Sequence, residues 1–131
     1  MNELILDYDS LDSLNRPVLI VAFKGLFDAS GSATSALEWL IEKSESENIG
    51  EIDSETFFDF TQERPLISFD KNGERALTWP TNKIVAMKTK ENERDLLAIS
   101  GVEPHLRWRT FSELLIAVSY THLTLPTILL V

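Results

Sequence analysis

Residues 17–23, Pro-Val-Leu-Ile-Val-Ala-Phe, constrain what this chain can fold into more than any other stretch. The run is short, apolar and rich in β-branched residues, and polar or turn residues bound it on both sides. That is the pattern of a strand buried on both faces. A glycine loop follows at 25–32 (GLFDASGS), and then Ala33, Ala36, Leu37, Leu40 and Ile41 recur at the spacing of one helical face. Strand, glycine loop and helix in that order predict an α/β layer. Asp28, Ser30 or Ser32 is placed to cap the helix by accepting bonds from its free N–H groups. Ser44, Asn48 and Gly50 mark its end, and the Ser/Glu stretch at 44–48 reads as a turn.

The same order recurs later. Residues 95–100 (DLLAIS) read as a second buried strand, Gly101 as the turn, and from Pro104 a helix places Trp108, Phe111, Leu114, Leu115 and Val118 on one face. The expectation is that 17–23 and 95–100 are neighbouring central strands, each followed by a helix on the sheet surface. Between them, Asn72-Gly73 supplies the positive backbone angles of a tight turn, so 66–69 and 75–79 read as a hairpin. Residues 83–90 (KIVAMKTK) read as a strand antiparallel to 95–100 across a polar turn at 91–94. Residues 51–64, with Phe57, Phe58 and Phe60, show no usable period. Trp79 and Trp108 are read as core or interface anchors. There is no repeat or linker, and 131 residues with 44% hydrophobic side chains make one domain with one sizeable core.

Composition narrows the chemistry. The net charge of −9 is uneven, with 13 acids against 3 bases in residues 1–60 and 8 against 9 in 61–131. An acidic surface with no basic stripe repels phosphate backbones, which argues against nucleic-acid binding. No cysteine is present, and the two histidines, His105 and His122, do not make a zinc ligand set. No run approaches the roughly 18 apolar residues of a membrane span, and the first residues lack a signal-peptide pattern. The expected setting is the cytoplasm, with no membrane partner.

Four landmarks together resemble the bacterial, actinobacterial branch of the proteasome-assembly-chaperone-like family, sometimes labelled ATP-grasp-like. They are the strand and loop from Pro17 through Gly25, Asp28 and Gly31; Asp59-Phe60 with Arg64-Pro65; Leu77-Thr78-Trp79-Pro80; and Gly101-Val102-Glu103-Pro104 followed by Arg107-Trp108 and Phe111. The family usually has tyrosine at Phe60 and often proline at Val102. The resemblance covers residues 1 to about 117. It implies an αβα sandwich of the phosphorylase-like type, homo-oligomers, and proteasome-related protein partners, in a domain that is truncated here because family members continue further. Residues 118–131 (VSYTHLTLPTILLV) read instead as a non-native tail, the translation of a transposon adapter, so His122 is set aside.

The candidate ligand-binding residues are Gly25, Asp28, Gly31, Arg64, Glu103 and Arg107. A glycine loop entering a helix N-terminus offers N–H groups to an anion, although the spacing is not G-x-G-x-x-G and no phosphate-binding lysine follows. Glu103 and Arg107 follow a strand end, where α/β folds bind ligands, and they also suit an ion pair across one helical turn. His105 has no nucleophile or carboxylate triad beside it. No catalytic residue, cofactor or metal site is expected. The reading is a non-enzymatic, oligomeric assembly-chaperone-like scaffold. The alternative is a small-molecule or nucleotide-binding, ligase-like enzyme using strand-end clefts near Asp28 and Glu103, and it requires Asp28, Arg64 and Glu103 to converge on one pocket.

Overall fold

The apolar runs at 17–23 and 95–100 lie side by side in the computed structural model, which describes residues 3–26, 28–89, 93–122 and 128–129. In chain order the elements are β1 (Leu4–Leu6), α1 (Tyr8–Asp12), β2 (Val18–Lys24), α2 (Ser32–Lys43), β3 (Glu45–Ile52) and α3 (Ser54–Phe57). They continue with β4 (Leu66–Phe69), β5 (Arg75–Thr78), β6 (Asn82–Lys88), β7 (Leu96–Val102), α4 (Trp108–His122) and β8 (Ile128–Leu129). Strands β2 and β7 are parallel and paired from Val18↔Leu96 to Lys24↔Val102. The six-stranded sheet has the order β1-β3-β6-β7-β2-β8; β8 is parallel to β2, and the β1-β3-β6-β7 side is antiparallel. The fold is therefore mixed α/β. β4 and β5 form a separate two-stranded sheet.

Alternation along the central strands divides the core in two. Leu19 and Val21 of β2, Ile84 and Ala86 of β6, and Leu97 and Ile99 of β7 meet Leu11 of α1, Phe57 of α3, and Phe111 and Val118 of α4. Ala22, Val85, Met87 and Ala98 face the other way, against Leu37 of α2. Both faces of the sheet thus carry helix, which is why the strands read as continuous apolar runs instead of alternating ones. Each fully buried Leu or Ile here contributes about 1.5–3 kcal/mol relative to its exposed state. Phe111 is gripped by Phe23 and Phe57, edge-on at centroid distances of 5.3 and 5.2 Å.

Two sequence expectations change. The stretch at 44–48 is not a turn: Ser44 ends α2 in extended conformation, and β3 begins at Glu45. Its polar residues fit the position, because β1 pairs only with Gly50–Ile52 and leaves Glu45 to Asn48 as a sheet edge among the described residues, where charge discourages mispairing. The second helix starts at Trp108, not at Pro104. The N–H groups of His105 and Leu106 both donate to the Phe57 carbonyl, at 2.9 and 3.0 Å, and Arg107 takes a left-handed φ of 54°, so the chain turns before it coils. The hairpin and the antiparallel β6–β7 pair are as expected, while residues 90–92 of the anticipated turn lie outside the described residues.

Candidate functional site

The glycine loop closes at the end of β2. Gly25 has φ 146°, Asp28 N–H donates to the Gly25 carbonyl at 3.2 Å, and Gly31, with φ 77°, donates to the Asp28 carbonyl at 3.0 Å. Asp28 is buried and points at the first turn of α2. One carboxylate oxygen accepts from Ala33 N–H at 3.2 Å; the other accepts from Thr34 N–H at 2.8 Å and Thr34 Oγ1 at 2.7 Å. The Thr34 hydroxyl and amide, with the Ala33 and Ser32 amides, outweigh desolvation and hold the Asp28 carboxyl below the usual carboxylate range. Asp28 itself is therefore the anion at this helix terminus. An incoming phosphate would have to displace it from the donors that the loop otherwise offers.

Glu103 sits over the same loop. Its N–H donates to the Lys24 carbonyl at 2.9 Å, and its side chain lies so close to Gly25 that a Cβ there would overlap it. Gly25 thus serves both its own backbone angle and the approach of Glu103. Arg107 is exposed at the turn before α4, and its carbonyl accepts from Phe111 N–H at 3.0 Å. Because residues 103–107 are not helical, the i,i+4 geometry expected for Glu103 and Arg107 does not arise. Arg64 lines a shallow depression with Phe60, Thr61 and Pro65, to which neither Asp28 nor Glu103 contributes. The loop brings Asp28 and Glu103 each against Gly25.

Three features escaped sequence reasoning. Asp95 is buried and accepts from Asn15 N–H at 2.7 Å and Thr89 N–H at 3.0 Å, tying the start of β2 to the β6–β7 connection. Burial opposes its ionisation, but those amides, Lys88 and the Thr89 hydroxyl outweigh it and leave the carboxyl lowered. His105 accepts from Asp59 N–H through Nδ1 at 2.9 Å and packs against Phe58, a joint between α3 and the turn before α4. Phe60 and Trp79 meet edge-on at 4.9 Å. With Ile5, Glu51, Asp53, Ser54, Glu55 and Thr81 they line an open depression of about 420 Å³. Trp79 and Trp108 are both too exposed to be the core anchors that the sequence favoured.

Among the described residues no three His, Asp or Glu side chains are grouped to hold a metal, and no helix is long and apolar enough to cross a membrane.

The sequence model of the PAC2 family matches residues 22–122. A PAC2 family protein from Streptomyces avermitilis is 33% identical, with a TM-score of 0.77 over 86% of this chain and 48% of its own. A proteasome-assembly chaperone homologue from Mycobacterium tuberculosis is also 33% identical, with a TM-score of 0.73 and the same coverage. A protein of unknown function from Corynebacterium glutamicum shares the fold, with a TM-score of 0.78 at 22% identity over 97% of this chain and 48% of its own. The chain spans about half the length of these solved structures. No curated protein matches it.

Proposed function

This chain belongs to the PAC2 family, and on that premise we propose that it is an assembly-chaperone-like module that acts by binding proteins, proteasome-related ones in particular, and not by catalysis. The observation that carries this reading is the 33% identity, over 86% of the chain, to the Mycobacterium tuberculosis proteasome-assembly chaperone homologue. The site geometry supports it, since the Asp28 carboxylate is occupied by the α2 terminus and Arg64 lines a depression to which neither Asp28 nor Glu103 contributes. The ligase-like alternative needs those three to converge and has no comparable support. Within the proposal the architecture is an αβα sandwich of the phosphorylase-like type, the assembled form is a homo-oligomer, and the compartment is the cytoplasm. Residues 118–131 are proposed to be a foreign tail, although α4 runs through His122 and the family match also ends there.

The test is co-purification of the tagged chain with actinobacterial proteasome subunits. Retention of subunits above an untagged control is expected, and no retention contradicts the reading. Calorimetry with Mg-ATP addresses the alternative. No saturable heat is expected, whereas a dissociation constant near or below about 10 μM, roughly 7 kcal/mol of binding, overturns the non-catalytic scaffold.

A further inference from the structure

The hairpin of β4 and β5 is the most unusual surface of the molecule. Its register, Leu66↔Thr78, Ile67↔Leu77, Ser68↔Ala76 and Phe69↔Arg75, puts Ile67, Phe69 and Leu77 on one face, together with Arg75. A face with that alternation belongs against a second layer, yet Ile67, Phe69, Leu77 and the adjoining Trp79 are 68, 71, 52 and 50% exposed, as is Leu66 on the opposite face at 70%. Each strand pairs only with the other among the described residues. An isolated two-stranded hairpin is marginal in water and becomes stable when more strands or a packed face are added. The segment therefore has the sequence of a half-buried sheet without the cover that such a sequence requires.

Charge indicates what covers it. The chain carries −9 overall, concentrated in residues 1–60 with 13 acids against 3 bases, so two copies repel each other across that part. Residues 64–79 lie outside that acidic part: two acids, Asp70 and Glu74, stand against three bases, Arg64, Lys71 and Arg75. It is an apolar surface on which two acidic copies can approach without that penalty. Size is at the lower limit, because Ile67, Phe69, Leu77 and the adjoining Trp79 at these exposures present on the order of 500 Å² per hairpin. Two such faces together reach about 1,000 Å², the threshold of a specific interface and the range of the weaker ones. Each face alone is the size of the largest patches that monomers leave uncovered, which are often functional.

We propose that the β4–β5 hairpin is a self-association surface, and that its occupant is the same hairpin of a second copy of this chain, the Ile67–Phe69–Leu77 faces packing together about a two-fold axis. The proposal rests on the homo-oligomer reading above and locates its interface. A two-fold arrangement is closed, so it yields a dimer and not an open chain.

Sedimentation of the full chain across a concentration series up to about 100 μM, where contacts of micromolar affinity are populated, tests it with two variants. A triple variant, Ile67→Ser, Phe69→Ser and Leu77→Ser, should weaken the dimer by about 100-fold, the scale of hot-spot truncations. Its far-UV spectrum should persist, because these side chains lie outside both buried clusters. As the chain has no cysteine, Leu77→Cys introduces a single thiol. It should form a disulfide-linked dimer under mild oxidation, and Trp39→Cys on α2 should not. A wild-type chain that stays monomeric overturns this inference together with the homo-oligomer reading. A wild-type dimer that the serine variant leaves intact, with no Leu77→Cys cross-link, overturns the hairpin interface alone.

Discussion

Two pairs of strands in this molecule show the same local pairing in opposite circumstances. β2 and β7 pair over seven residues with helices above and below; β4 and β5 pair over four, with their apolar side chains in solvent. Both are written in β-branched, aromatic and aliphatic residues, and both were recognisable as strands. The difference is that the first pair is covered within the chain and the second is not. An apolar side chain stabilises a fold only by the area it removes from water. The first pair therefore holds the domain together, and the second leaves its apolar side chains exposed.

That contrast can be broken or sharpened at graded positions. The largest effect is expected at Ile99→Ala, in the buried face of β7, which should lower the unfolding free energy by about 2–5 kcal/mol in urea titrations. Gly101→Ala should cost about 1–3 kcal/mol by the same measurement. Gly101 has φ 156°, and a Cβ there would overlap buried Asn82, whose Oδ1 accepts from Val102 N–H at 2.7 Å.

Acid should act on the same frame. Asp28 and Asp95 are held below the usual carboxylate range, so the folded chain binds fewer protons than the unfolded chain there. Their stabilisation is complete above about pH 4 and is lost as pH falls through the lowered folded values. The urea midpoint should therefore drop between pH 5 and pH 2 in the wild type, with the direction set by both groups. A variant carrying Asp28→Asn and Asp95→Asn should be less stable at neutral pH and lose less on acidification.

Smaller still, deletion of residues 119–131 should change stability by less than about 1 kcal/mol. In that segment β8 pairs with β2 at Ile20 and Val21, and Val118 is retained. Leu123, Leu125 and Val131 lie outside the described residues. The smallest effect is expected at Ile67→Ser in the hairpin, within about 0.5 kcal/mol for the monomer, as for ordinary surface changes.

What the sequence made legible follows the same division. The central strands were readable because burial on both faces leaves uninterrupted apolar runs at 17–23 and 95–100, and the hairpin because Asn72-Gly73 specifies its turn. The edge half of β3 was not, since Glu45, Ser46, Glu47 and Asn48 carry the polarity that protects an open edge and so resemble a loop. The true start of α4 was hidden because its cause is the remote carbonyl of Phe57. At the candidate site, Asp28 as a cap was legible from its place before the helix. Asp95 was not, because its donors come from Asn15 and Thr89, brought in by tertiary structure. Nor did spacing in the sequence reveal that Glu103 would cover Gly25.

The central claim is that the β2–β7 frame is complete within one chain while the β4–β5 hairpin is completed by another. Hydrogen–deuterium exchange of the wild-type chain, at dilute and at high concentration, measures both halves together. The account predicts amides of β2 and β7 that stay protected at either concentration, and amides of β4 and β5 that exchange freely when dilute and become protected as concentration rises. Hairpin amides whose exchange does not depend on concentration would contradict it.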